Sequence, residues 1–208
     1  MSSGYGSLFR SSDSGAIWTA TQVYEVAALA VAPGLPDTVY AATSPVVCAG
    51  PCPPGRVFKT SDGGRTWNIG DLTDVKTLLV DPTDPAIVYA GPRPGGGVFK
   101  SIDGGISWTA VGADSLPFAV SALAAETSSV LYAGTAEGGV FESFDGGQHW
   151  IGISDGLGDL RIWTLAVAGS PRGPTLYAGT YGSGIFRLAG LSTVSRTRNP
   201  SRVVQPRR

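Results

Sequence analysis

Short apolar runs recur along the chain at a near-constant interval, each bounded by glycine, proline or aspartate. One column reads Leu29-Ala30-Val31, Leu78-Leu79-Val80, Leu123-Ala124-Ala125 and Leu165-Ala166-Val167. A second reads Val39-Tyr40-Ala41-Ala42, Val88-Tyr89-Ala90-Gly91, Leu131-Tyr132-Ala133-Gly134 and Leu176-Tyr177-Ala178-Gly179. A third is an apolar-Phe pair at Leu8-Phe9, Val57-Phe58, Val98-Phe99, Val140-Phe141 and Ile185-Phe186, whose phenylalanines lie 49, 41, 42 and 45 residues apart. Runs of β-branched and aromatic residues between turn formers predict strands. No segment carries a long helical period.

Each unit therefore predicts four short antiparallel strands: one from each column in turn, and a fourth starting at a tryptophan. Four-stranded units repeating every ~40–50 residues indicate the blades of a β-propeller. The expected fold is all-β, a propeller of about four to five blades over residues 4–190, possible as an incomplete ring. Its units run over about 4–22, 23–70, 71–112, 113–154 and 155–190, and an Arg-rich tail, expected to be disordered, follows at 191–208. The first unit opens at a third strand and the last ends after one, so closing the ring would leave one strand redundant. A small ring and a segment of a larger one are both open.

Between third and fourth strands, four turns align without gaps on the pattern [ST]-x-D-x-G-x-x-W. They carry Asp13, Gly15 and Trp18; Asp62, Gly64 and Trp67; Asp103, Gly105 and Trp108; and Asp145, Gly147 and Trp150. An aspartate accepts bonds from its own turn's amides, and glycine takes positive φ at no steric cost. The tryptophan is expected to pack between blades. These aspartates thus read as parts of the scaffold, not as catalytic acids. His149 occupies a turn position and is expected to be exposed.

The motifs resemble the Asp-box, or bacterial neuraminidase, repeat family, which includes sialidases, xyloglucan-hydrolysing glycosidases, the sortilin ectodomain and photosystem II assembly-factor-like propellers. The resemblance covers about residues 4–188. The phrases Leu131-Tyr132-Ala133-Gly134-Thr135 and Gly139-Val140-Phe141-Glu142-Ser143 look most like uncharacterised bacterial members. It implies a propeller and leaves activity open. Sialidases of the family carry an arginine-led Phe-Arg-Ile-Pro motif. Here Phe9-Arg10-Ser11 and Phe186-Arg187-Leu188 are third-strand copies, where other units place Lys59, Lys100 or Glu142. Sialidase chemistry is therefore not expected.

Composition agrees with many turns and a real core: 30 glycines, 15 prolines, 42% hydrophobic and 15% charged residues. The net charge of −1 hides an asymmetry. Residues 1–190 hold 10 Lys/Arg against 16 Asp/Glu, whereas the tail holds five arginines and no acid. An acidic body argues against a nucleic-acid partner. The tail reads as a solubilising end or a contact for an anionic partner. No apolar run is long enough for a membrane span, and Met1-Ser2-Ser3-Gly4-Tyr5 lacks the regions of a signal peptide. Cys48 and Cys52 read as a small loop disulfide or as two free loop thiols. The disulfide reading implies an extracellular or periplasmic site. Two thiols and one distant histidine make no metal site, and no motif asks for a cofactor.

Antiparallel alternation puts the aspartate turns on one face. The opposite face holds second-to-third-strand loops near 43–56, 92–96, 135–138 and 180–183, and fourth-to-first-strand loops near 19–26, 68–75, 109–120 and 151–162. Loops carry function more often than scaffold does. Four residues before the first-strand leucine stand Glu25, Asp74, Ala119 and Arg161; two before it stand Ala27, Lys76, Ser121 and Trp163. These columns vary where the scaffold columns do not. They predict either a ligand site at the channel mouth, lined by Glu25, Asp74, Lys76, Arg161, Trp163 and Tyr181, or a rim on which nothing packs. The leading function is a non-catalytic binding module for protein or carbohydrate. The alternatives are a glycoside hydrolase of the xyloglucanase type and a purely structural repeat. Glu25 and Asp74, register-equivalent on adjacent blades, are the weak catalytic candidates. An inverting carboxyl pair needs ~6.5–9.5 Å, and packed sheets stand ~10 Å apart.

Overall fold

The structure, a computed structural model, describes residues 7–44, 53–92, 95–169 and 173–189. Cys48, Cys52 and the 191–208 tail lie outside the described residues. The described chain is all-β. β1 (Ser7–Arg10) and β2 (Thr19–Tyr24) form a hairpin. Three four-stranded sheets follow. The second sheet is β3 (Val26–Ala32), β4 (Leu35–Thr43), β5 (Arg56–Thr60) and β6 (Asn68–Thr73). The third is β7 (Val75–Val80), β8 (Val88–Pro92), β9 (Val98–Ser101) and β10 (Thr109–Val111). The fourth is β11 (Val120–Ala125), β12 (Leu131–Thr135), β13 (Val140–Ser143) and β14 (Ile151–Gly152). A fifth sheet holds β15 (Ile162–Ala168), β16 (Thr175–Thr180) and β17 (Ile185–Ala189).

The repeated columns correspond to repeated cross-strand pairs. Alanine faces phenylalanine at Ala41–Phe58, Ala90–Phe99, Ala133–Phe141 and Ala178–Phe186. The neighbouring pair is tyrosine with a charged residue: Tyr40–Lys59, Tyr89–Lys100, Tyr132–Glu142 and Tyr177–Arg187. Directly opposed residues have Cβ atoms about 4.5–5.5 Å apart, so the small alanine leaves room for the ring across the ladder. Successive sheets stack face to face. Tyr40, Val57 and Ala42 of the second sheet bury Val75, Val80 and Val88 of the third. Tyr89 and Val98 meet Val120, Leu131 and Trp150. Tyr132 and Val140 meet Ile162, Leu176 and Ala178.

Each aspartate turn closes in the same way. The Ser or Thr hydroxyl donates to the aspartate at 2.7, 2.8, 2.7 and 2.9 Å and accepts from the amide of Gly15, Gly64, Gly105 or Gly147. The aspartate in turn accepts from the amide four residues on, at 2.9 Å in all four turns. The closing glycines have φ of 85–92°, a region that costs other residues steric strain. These donors hold the carboxyls below the usual range. The Thr66 and Ser107 hydroxyls lead at Asp62 and Asp103, and the Ile17 amide at Asp13. At Asp145 burial pushes upward, and the His149 amide and ring outweigh it to leave a value of about 2. Trp150 is buried between sheets, Trp67 and Trp108 are partly buried, and Trp18, in the first hairpin, is exposed.

Two sequence expectations change. Trp18, expected between blades, is 61% exposed, because no sheet backs the first hairpin among the described residues. Residues 19–26, 68–75, 109–120 and 151–162, expected as loops, hold the fourth strands β2, β6, β10 and β14, and β2 and β6 run to within one residue of the next sheet. The chain therefore passes from one sheet to the next through a single residue, Glu25 or Asp74. A one-residue corner forces a left-handed backbone, and both residues have it, at φ 56° and 55°. The longer corners at 112–119 and 153–161 take the left-handed backbone at glycines instead, Gly112 at φ 69° and Gly156 at φ 84°.

Candidate functional site

The first strand of each of the last four sheets enters its sheet through a β-bulge. The register slips between Val26 and Ala28, Val75 and Thr77, Val120 and Ala122, and Ile162 and Thr164. The slipped residues are Ala27, Lys76, Ser121 and Trp163, the variable column of the sequence. A bulged residue is released from the ladder, and its side chain is re-aimed. All four line one concave cavity of about 560 Å³. First-strand leucines Leu29, Leu78, Leu123 and Leu165 also line it.

Arg161 and Tyr181 complete the wall. The Tyr181 amide donates to the Arg161 carbonyl at 3.0 Å, clipping the β16–β17 loop to the entrance of β15. The same clip joins Ala136 to Ala119 and Ser44 to Glu25. The side chains then form a continuous strip. The Lys76 ammonium lies 5.6 Å from the centre of the Trp163 ring. Trp163 and Tyr181 stand 6.0 Å apart at 46°. The Arg161 guanidinium lies 4.8 Å from the Tyr181 ring. Both aromatic side chains are exposed, at 65% and 66%.

Asp159 fixes the end of the strip. Its carboxylate accepts from Arg161 Nε at 3.0 Å and Nη2 at 2.9 Å, and from the Gly182 amide at 2.9 Å. The Arg161 bonds lower the Asp159 carboxyl to about 2, and the same pairing raises Arg161. Sequence reasoning missed Asp159; the Asp-x-Arg spacing on either side of Leu160 was its signal. Arg161 is thus neutralised, whereas Lys76, which lines the cavity, has no ion-pair partner among the described residues. Ser121 has its hydroxyl between the carbonyls of Gly134 and Ile162, so it ties the fourth sheet to the fifth.

The structure brings Lys76, Arg161, Trp163 and Tyr181 together. Glu25 and Asp74 stand outside the lining, at the left-handed corners. Among the described residues, no group of three or more His, Cys, Asp or Glu could hold a metal ion. No helix there is long and apolar enough to cross a membrane.

No protein-family model matches the chain, and no curated protein sequence matches it. Solved structures do. The GH74 xyloglucanase of Xanthomonas campestris is 20% identical with a TM-score of 0.68, covering 89% of this chain and 33% of that one. The GH74 enzyme of Niastella koreensis is 21% identical at 0.62, covering 79% and 28%. YCF48, solved bound to D1 peptide, is 15% identical at 0.60, covering 88% and 57%. The chain spans only about a quarter to a third of the length of the GH74 enzymes. Likeness at such identities establishes architecture alone, and the architecture is that of a β-propeller, present here as an arc of blades.

Proposed function

We propose that this chain is an Asp-box propeller segment whose concave cavity binds an extended peptide without transforming it. The strip Lys76–Trp163–Tyr181–Arg161 carries the reading. Two exposed aromatic faces offer flat apolar area at small entropic cost. The unspent Lys76 ammonium beside them suits a carboxylate on the same ligand. The likeness to YCF48, a propeller solved with a bound peptide, supports the same class of partner.

A second reading is favoured by the xyloglucanase neighbours, since paired aromatic faces also suit sugar rings. Hydrolysis asks for two carboxyl groups flanking the scissile bond. The candidates Glu25 and Asp74 sit at backbone corners outside the cavity lining, which favours binding over hydrolysis.

The test is calorimetric titration with a set of carboxylate-bearing peptides and with xyloglucan oligosaccharides, on wild type, Trp163→Ala and Lys76→Met. Peptide binding weakened at least tenfold by either substitution is the expected result. Equal affinity in wild type and Trp163→Ala sinks the reading. Reducing-end release from xyloglucan, lost in Glu25→Gln and Asp74→Asn, replaces it with the hydrolase.

A further inference from the structure

The same joint fastens one sheet to the next three times. A third-strand cation reaches forward to the carbonyl after the turn aspartate of the following sheet. Arg10 Nη1 donates to Gly63 O at 3.2 Å, Lys59 Nζ to Gly104 O at 2.8 Å and Lys100 Nζ to Gly146 O at 3.4 Å. In the second and third sheets a tyrosine lies beneath. The Tyr40 hydroxyl also donates to Gly104 O at 3.1 Å, and Lys59 and Lys100 sit 5.4 and 5.2 Å from the rings of Tyr40 and Tyr89. The forward-facing Val57 and Val98 seal the Lys59 and Lys100 joints, at 2% and 1% exposed, and Val140 holds the same place between the fourth and fifth sheets at 2%.

The fifth sheet holds every forward-facing part of this joint. Tyr177 is opposite Arg187, as Tyr40 is opposite Lys59, and Ile185 takes the valine position. Here the parts are uncovered: Ile185 is 69% exposed and Tyr177 38%. At the other end of the arc, the β1–β2 hairpin carries the receiving half. Its turn is closed like the others, and Ser14, at φ 60°, takes the place of Gly63, Gly104 and Gly146. The backward-facing Phe9 and Trp18 are 52% and 61% exposed, where Trp150 is 5%. The described residues thus display both halves of the repeating joint, each unfilled among them.

We infer that the β15–β17 face takes the β1–β2 hairpin of a second copy of this chain. Arg187 donates to the Ser14 carbonyl of that copy, Tyr177 packs beneath its turn, and Ile185 covers Phe9 and Trp18. The occupant follows from the joint. The socket fits a Ser/Thr-x-Asp-x-Gly turn followed by tryptophan, and the chain itself presents one with nothing on it. Because the two patches differ, the contact is head to tail, and each added copy offers a fresh socket.

The experiment is sedimentation velocity over a range of concentrations, under reducing conditions, on the whole chain. Wild type is expected to associate as concentration rises. A socket variant, Ile185→Asp with Arg187→Glu, and a plug variant, Trp18→Asp, are each expected to be monomeric. An equal mixture of the two variants is expected to give a species of twice the monomer mass that grows no further, because one intact plug meets one intact socket. Circular dichroism melts and the milder Arg187→Ser and Trp18→Ser confirm that lost association reflects the patch and not unfolding. A wild type that stays monomeric, variants that associate like wild type, or a mixture that stays monomeric each overturns the inference.

Discussion

Leu29 and Leu78 occupy one repeat position in neighbouring sheets, and the arc treats them differently. Leu78 is 6% exposed, packed between the second and third sheets with Ala42, Val75 and Val80. Leu29 is 49% exposed, because the β1–β2 hairpin backs only the outer part of the second sheet. Truncating a buried leucine to alanine loses its transfer free energy and leaves a cavity, about 3 kcal/mol at a well-packed site. For a domain of this size each kcal/mol shifts Tm by about 2–4 °C, so Leu78→Ala should lower Tm by about 6–12 °C. At Leu29 half of the side chain already meets water and no cavity forms. Roughly half of a ~2 kcal/mol burial term is at stake, and Leu29→Ala should lower Tm by only about 2–4 °C. The assay is urea denaturation followed by tryptophan fluorescence, with thermal melts alongside, at concentrations where the protein is monomeric. Equal losses in the two variants, with unchanged m-values, would refute the open arc, since Leu29 would then be covered in solution as Leu78 is.

Asp103→Ala should lower Tm while leaving binding at the cavity intact, because the turn loses an acceptor for Ile106 and Ser107; an unchanged Tm contradicts the structural role. The Asp145 and Asp159 carboxyls fall from 3.8 to about 2 on folding, so their contribution is complete above about pH 4 and lost as pH falls toward 2; a Tm unchanged down to pH 2 refutes this. Burial and the Asp81 carboxylate push Tyr89 up to about 12, so one tyrosine of seven should ionise last in ultraviolet titration. Stability should fall as pH rises from about 10 toward 12, and Asp81→Ala, which strips acceptors from the amides of Thr83 and Asp84 and the Ser128 hydroxyl, should cost about 3 kcal/mol by denaturant titration. Gly134→Ala should cost about 1–3 kcal/mol, since its methyl would strike Ile162 of the next sheet, whereas Gly169→Ala meets nothing within 4 Å and should be near neutral.

What could be read from the sequence was whatever local chemistry repeats. The Tyr-Ala-Gly and Val-Phe columns mark second and third strands because those strands lie inside the stack, where each position has one tolerable size. The aspartate turns were legible because their bonds close within a few residues. The length of the fourth strands β2 and β6 was not. Thr19-Ala20-Thr21-Gln22-Val23-Tyr24 and Asn68-Ile69-Gly70-Asp71-Leu72-Thr73 run along the outer edge, mostly exposed or half-buried, so little burial shaped a pattern there. Register was equally silent. That Ala27, Lys76, Ser121 and Trp163 are bulged is a matter of which partner each meets across the ladder, and sequence spacing does not record it. Variation marked the column, and the bulge supplies a reason for the variation.

That reason bears on how a repeat scaffold acquires a site. A residue within the ladder touches the next sheet, so changing it disturbs a joint used several times over. The bulged residue is outside the ladder and is released from the cross-strand pairing that fixes its neighbours' size. Placed at the entrance of each innermost strand, the bulges converge on the concave side of the arc. Lys76 and Trp163 come from sheets two apart, yet meet at 5.6 Å. Between them the bulge of the intervening sheet places Ser121, small enough to leave the path clear, with its hydroxyl held by the carbonyls of Gly134 in its own sheet and Ile162 in the next. The cavity is therefore a property of the curvature between sheets and not of any one repeat.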